Sequence, residues 1–362
     1  MDIIRCVALF CVIAVHFSLN NGFYDEVVKG ARMYVMVVMR SSFMVCVPLF
    51  IVLSGYLLNK RTPTAGYYIR IVKTLLLYVF ASLACEVYRW TVLGEEISVV
   101  STIKDILSFS AAPYSWYVEM YIGLFMLIPF LNILYNNIPA PKAKKGFLVI
   151  LLILTSLPLV INIHRVVDFK WWLMPSSSDS YNALIPDWWT GMYPLTYYFI
   201  GCYLKEYPIK MKPIKNFLLI VVTFLLIGTF NYYRSYNVEF IWGKWQNWGS
   251  LLIVIQTVLV FSFFTQFTYE KWGTKSRKII AKLSDFGLCA YLVSWIFDQV
   301  FYKILNEHQP TMKLRLEYFI IIVPVVYLCS LALSAILTTA SNFISDKIIG
   351  RLSRMSTKRA DR

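Results

Sequence analysis

The chain has 362 residues, of which 58% are hydrophobic and only 15% charged, and its formal net charge is +15. A soluble globular chain carries about 25% charged residues and fewer apolar ones, so this composition excludes a water-soluble enzyme or binding domain. The positive balance would suit a nucleic-acid partner, but the basic residues fall between long apolar runs, a pattern that membrane topology explains without one.

A spanning helix needs roughly 20 mostly apolar residues, because about 30 Å of hydrocarbon is crossed at 1.5 Å per residue. Ten windows fit: Ile3 to Leu19, Tyr34 to Leu58, Tyr67 to Trp90, Tyr114 to Tyr135, Phe147 to His164, Met192 to Leu204, Phe217 to Tyr233, Gly249 to Phe267, Phe286 to Ile304 and Tyr318 to Phe343. The sixth is the shortest. The first follows Met1, with one acid just before it and one arginine in its first turn, and no small-residue cleavage pattern follows it, so it reads as a retained helix. Counted from an inside N-terminus, 23 of the 35 Lys and Arg residues fall on one side, from Arg5 through Lys60, Lys142, Lys205 and Lys271 to Arg362. That bias places both termini in the cytoplasm. The expected architecture is an all-α polytopic membrane protein, one domain over residues 1–345 with a basic tail over 346–362. The seven cysteines lie in the windows without metal-ligand spacing and read as small core residues, so no metal is expected.

Charged groups inside a span cost a few kcal/mol or more and are therefore candidates for function. In the first helix Arg5 and His16 are eleven residues apart, about 1100° of helical rotation, so they share one stripe roughly 16 Å apart. Singly, Arg5 reads as a positive anchor and His16 as an interfacial residue; as a pair on one stripe they read as function. The second window holds Arg40, equally a snorkelling cation and a functional one, then Pro48, which should kink the helix, and then Ser54, Gly55 and Tyr56. Arg70 and Lys73 open the third at one boundary, where an anchor role suffices. The fourth enters with Trp116, Tyr117 and Glu119, which brings a carboxylate to about the depth of His16. A carboxylate beside an imidazole can fix its tautomer and make it a better base. Nine tryptophans, Trp90, Trp116, Trp171, Trp172, Trp188, Trp189, Trp242, Trp245 and Trp248, lie on the outer side, against Trp272 inside and Trp295 mid-span. An interfacial belt should mark both sides, so the asymmetry suits sugar-stacking walls, especially in the long loop from about residue 165 to 191.

Together Arg5 with His16, the run from Val47 through Leu58, Arg70 with a base three residues on, the stretch from Trp116 to Pro129 and the segment Ala290 to Val293 resemble acyltransferase family 3. Its members are membrane O-acyltransferases of bacterial surface polysaccharides. The likeness spans most of the chain. The family often has arginine at the position of Lys73 and histidine at those of Ser115 and Ser294, which leaves His16 as the one imidazole set within a span for catalysis. The resemblance implies acetyl-CoA as donor, a sugar hydroxyl of a glycan or lipid-linked glycan as acceptor, and a bacterial cytoplasmic membrane as the location. Arg5, Ser54, Gly55, Arg70 and Lys73 would then hold the donor, and His16 with Glu119 would act as base. Arg40, Trp116, Tyr117, Trp188 and Trp189 would meet the acceptor. A transporter or flippase of a lipid-linked glycan is the alternative, since buried arginines and outer aromatics serve translocation as well. A base at one end of a phosphate-binding row is the feature that such a transporter has no use for. A polysaccharide polymerase would need a larger, more arginine-rich outer loop, and a non-catalytic scaffold would leave Arg5, His16 and Arg40 unexplained.

Overall fold

A computed structural model describes residues 1–162, 183–267, 269 and 272–360, with side chains as far as Arg351. Every regular element among these residues is helical. The principal helices are α1 (Asp2–Asn20), α2 (Ala31–Phe43), α3 (Cys46–Leu58), α4 (Ile71–Tyr88), α5 (Val99–Leu107), α6 (Trp116–Asn136) and α7 (Pro141–Thr155). They continue with α8 (Tyr193–Glu206), α9 (Pro213–Arg234), α10 (Leu251–Thr265), α11 (Thr274–Asp285), α12 (Gly287–His308) and α13 (Phe319–Ala360). The last runs through the segment expected to be a basic tail, as far as Ala360.

Nine stretches among the described residues are long and apolar enough to cross a bilayer, where the sequence pattern predicts ten. The difference is α8, whose 14 residues reach roughly 21 Å at 1.5 Å per residue. It nevertheless runs between the same two faces as its neighbour. Lys144, at the start of α7, meets Glu206 at the end of α8 at 2.7 Å, and Thr155, at the end of α7, meets Thr196 near the start of α8 at 2.7 Å. Two antiparallel helices joined at both ends share both faces, so α8 is a tenth passage. It can be short because protein rather than lipid surrounds it: every residue from Thr196 to Cys202 is buried. Among the described residues, ten passages bring Met1 and the end of α13 to one face, called here the Arg5 face; the opposite one is the His16 face.

Local chemistry explains the irregularities. Pro48 cannot donate to residue 44 and its ring crowds that carbonyl. The second span accordingly breaks at Met44–Val45 into α2 and α3. Ser41 and Ser42 bond back to the Val37 and Val38 carbonyls at 2.7 Å each just before the break, a contact that also bends helices. At its other end, the C-terminal turn of α3 and the segment after it are met by α6, where Asn132 Nδ2 donates to the carbonyls of Leu58 and Arg61 at 2.8 Å each.

Outside the bundle lie Leu127, Phe130, Ile150, Leu226, Ile320 and Leu328, all largely exposed. Water would penalise such a surface, and lipid does not. Between helices, where lipid-like packing offers no hydrophobic drive, close approach needs small residues. Gly55 of α3 and Gly201 of α8 supply it: a Cβ on Gly55 would collide with the Tyr198 carbonyl, and one on Gly201 with the Val52 carbonyl. Gly55 is therefore a packing glycine in the α3–α8 seam. Its α-carbon is turned to α8 and Gly55 does not line the cavity at the Arg5 face, although the resemblance counts it among the donor-holding residues.

Candidate functional site

Two cavities lie in series along one stripe of α1. The first, about 350 Å³, is lined at the Arg5 face by Arg5, Ser54, Thr74, Tyr117, Tyr121 and Ser284 among others. The second, about 240 Å³, is lined at the His16 face by His16, Arg40, Tyr114, Trp116, Trp242 and Trp248 among others. Val12, Val47 and Tyr291 line both, so the cavities meet at these three side chains. Val12 is seven residues after Arg5 and four before His16, which are the intervals that keep positions on one helical face. The stripe expected from the eleven-residue spacing is thus the wall along which both cavities run.

At the Arg5 face, Arg5 is about one-third exposed and its Nη1 donates to Asp2 Oδ1 at 3.0 Å and to Ser284 Oγ at 3.1 Å. Ser284, at the end of α11, donates in turn to Asp2 at 3.2 Å. Ser54 lines the same cavity and returns its hydroxyl to the Phe50 carbonyl at 2.9 Å. Arg70 and Lys73 are exposed and line neither cavity, although Thr74 beside them does. The donor set expected from sequence therefore reduces, at the cavity wall, to Arg5 and Ser54.

At the His16 face the imidazole Nδ1 stands 3.2 Å from Oδ2 of Asp298, a residue of α12 whose side chain is 0% exposed. The Tyr114 hydroxyl donates to the same oxygen at 2.8 Å, and the Tyr114 ring lies against the imidazole with centroids 4.0 Å apart. Asn20, one turn after His16, donates to the His16 carbonyl at 2.8 Å and reaches the Tyr114 hydroxyl at 3.5 Å. The Tyr114 backbone is itself fixed by the Tyr291 hydroxyl, which donates to its carbonyl. His16 Nδ1 is thus turned to a buried carboxylate, and Nε2 is left for the cavity.

Glu119 is not that carboxylate. It is exposed in the first turn of α6, whereas Tyr117, two positions earlier, faces inward. Side chains two apart on a helix point about 200° from one another, so Tyr117 and Glu119 cannot both face the site. Sequence reasoning missed Asp298, which carries the signal that singled out Arg40: a charge in the middle of an apolar span. Ser115 and Ser294 are both spent on backbone, donating to the Phe109 and Tyr291 carbonyls, and neither lines a cavity.

The aromatic residues divide. Trp116 stacks on Trp248 with centroids 4.5 Å apart, and both line the His16 cavity with Trp242. Tyr117 instead lines the Arg5 cavity, edge-on to Tyr291. Trp188 and Trp189 are exposed, Trp188 at 94%, and line neither cavity. Trp245 is buried and donates to Asn231 at 2.7 Å, and so belongs to the core. Trp171 and Trp172 lie outside the described residues. No cluster of metal-ligating side chains occurs among the described residues.

A family model described as an acyltransferase domain matches residues 1–338. No curated protein and no solved structure matches the chain.

Proposed function

The chain belongs to acyltransferase family 3 and is a multi-pass membrane acyltransferase, and from that premise we propose that it carries an acyl group, most simply acetyl, from cytoplasmic acyl-CoA to a sugar hydroxyl of a surface glycan across the two cavities. The single observation that carries this reading is the His16–Asp298–Tyr114 cluster in the wall of a cavity that meets a second cavity, lined by Arg5 and Asp285 among others, along the same helix. In this reading the Arg5 face is cytoplasmic and the membrane is the bacterial plasma membrane, which fits the basic residues gathered there.

The residues divide the work. Arg5 is the charge available to an anionic donor at the first cavity, whose 350 Å³ is within the usual range of about 300–1,000 Å³ for ligand pockets. The apolar junction at Val12, Val47 and Tyr291 is where the acylated end would pass. His16 Nε2 takes the proton of the acceptor hydroxyl as its oxygen attacks the thioester carbonyl. The C–O bond forms, the C–S bond breaks, and the departing thiolate receives the proton back from the imidazolium. Asp298 holds the ring in the tautomer with its proton on Nδ1 and offsets the positive charge that appears during transfer. Tyr114 keeps the carboxylate oriented.

Comparing the acyl content of surface glycans in cells carrying wild-type protein or His16→Ala tests this. Transfer should be lost while the amount of protein in the membrane is unchanged. Full transfer by His16→Ala would remove the assignment. A lipid-linked glycan transporter would instead keep its activity in the absence of acyl-CoA.

A further inference from the structure

One charged side chain in the His16 cavity is left over by the mechanism. Arg40, near the end of α2, is 1% exposed yet lines that cavity. Its Nε donates to the Tyr24 hydroxyl at 3.2 Å and its Nη1 to Gln246 Oε1 at 2.6 Å. The guanidinium carbon lies 4.7 Å from the centre of the Trp242 ring and 4.9 Å from that of Phe240. All of these partners are neutral. Among the described residues no carboxylate comes within 4.0 Å of Arg40, and Nη2 has no hydrogen-bond partner. Among the described residues no Asp or Glu lines the cavity; Asp298 stands behind His16, with its Oδ2 facing the imidazole.

A buried cation is ordinarily paired, because removal from water is otherwise uncompensated. Arg5 has Asp2 and Arg89 has Glu86, whereas the part-buried Arg315 donates to the backbone carbonyls of Gln309, Asn21, Asn306 and Pro310. Arg40 is held in place by two hydrogen bonds and two aromatic faces, and it lines the cavity with Nη2 not engaged by any described residue. A guanidinium presents those donors as a planar fork that matches a carboxylate or a phosphate.

We propose that Arg40 is the seat of an anionic group on the acceptor, so that this acyltransferase acts on an acidic glycan, bearing a hexuronate-type carboxylate or a sugar phosphate, rather than on a neutral one. The inference rests on the acyltransferase reading for its word "acceptor". The ligand chemistry rests on Arg40 alone. Trp116, Trp242 and Trp248 supply ring faces for the sugar beside the charge, and His16 lines the same space. A hydroxyl on the anionic residue or on its neighbour would then be the group presented to the imidazole.

The test is a binding measurement on purified full-length protein carrying His16→Ala, so that no turnover intervenes and failure of the catalytic assignment leaves the result intact. Three probes are compared at about 0.15 M salt, where exposed charges are largely screened: a disaccharide containing glucuronate, the same disaccharide with its carboxyl reduced to the alcohol, and a disaccharide 1-phosphate. The readout within each variant is the ratio of affinities for charged and neutral probes. One of the anionic probes should bind about ten- to a hundredfold more tightly than the carboxyl-reduced sugar, the range of a charge-assisted hydrogen bond. Preference for the glucuronate probe would point to a uronic acid polymer, and preference for the phosphate probe to a phosphorylated or lipid-linked saccharide. Arg40→Gln should bring the ratio close to one, and Arg40→Lys should restore part of it. Arg32→Gln, which removes an exposed arginine of the same helix paired to Glu317 at 2.8 Å, should leave the ratio as it was. Equal affinity for charged and neutral probes, or a preference that survives Arg40→Gln, would overturn the proposal, because Arg40 would then be only a brace between α2 and the segment holding Gln246.

Discussion

The two cavities differ in how their charges are answered. At the Arg5 face the cation is partly open to solvent and has its own counter-ion, Asp2, one turn away on the same helix, with Ser284 shared between them. At the His16 face both charged groups that matter, Asp298 and Arg40, are essentially fully buried. Asp298 is answered only by an imidazole and a phenol, and Arg40 only by neutral groups. Charges near water are inexpensive and replaceable, whereas buried ones persist only where the surroundings over-determine their position. On the function proposed above, the first cavity would suit the capture and release of a soluble donor, and the second a fixed arrangement for chemistry. Substitutions should therefore cost far more at the second cavity than at the first.

The largest effect is expected from Asp298→Asn. The amide keeps the volume and can still accept from Tyr114, but it cannot offset charge on the imidazole and it favours the wrong tautomer. Loss of a positioned carboxylate behind a catalytic histidine costs on the order of 10²–10⁴ in rate. The variant removes a buried acid, so the protein should remain in the membrane at the wild-type level. Acyl transfer by purified protein at saturating donor is the measurement. A rate within about twofold of wild type would mean that the Asp298 pair is structural and that the cavities differ less than their geometry implies.

Arg5→Ala should have a smaller and different effect. A charge-assisted contact to a phosphate would be worth roughly 1.5–3 kcal/mol if buried. Arg5 is part-exposed and already shares its charge with Asp2, so solvent screening reduces that figure. About a three- to tenfold rise in KM for acyl-CoA is expected, with kcat changed less than KM. Measuring the two constants separately sharpens the comparison. A collapse in kcat equal to that of Asp298→Asn would place Arg5 in the chemical step, not in donor capture.

Residue types and spacing made some of this visible and hid the rest for physical reasons. The stripe from Arg5 to His16 depends only on helical geometry within one segment, so it could be read from the sequence, and so could the break at Pro48. Asp298 announces itself as a mid-span charge, but that it meets His16 is decided by how α1 and α12 pack, which no local pattern encodes. Gly55 shows the opposite limit. Beside a serine and near a helix end it is counted among the donor-holding residues, and only its partner Gly201, on another helix, reveals a close-packed seam. The length of α8 is of the same kind, because a helix enclosed by others is released from the thickness that lipid imposes on exposed spans.

The smallest expected effect is also the most economical test of which carboxylate matters. Sequence alone places Glu119 at the depth of His16, and Asp298→Asn cannot by itself show that Glu119 is idle. In the folded chain Glu119 occupies the first turn of α6 on its exposed side, where an acid gains a favourable interaction with the helix N-terminus. That interaction is worth about 0.3–1 kcal/mol, so Glu119→Gln should lower thermal stability slightly. Its rate of acyl transfer should match wild type, since no reacting group is within reach of that side chain. If Glu119→Gln instead lost activity to the extent expected for Asp298→Asn, α6 would have to rotate by about half a turn in the working enzyme to bring that face inward. The division between a solvated donor cavity and a pre-set acceptor cavity would then give way to a site assembled only when both substrates are bound.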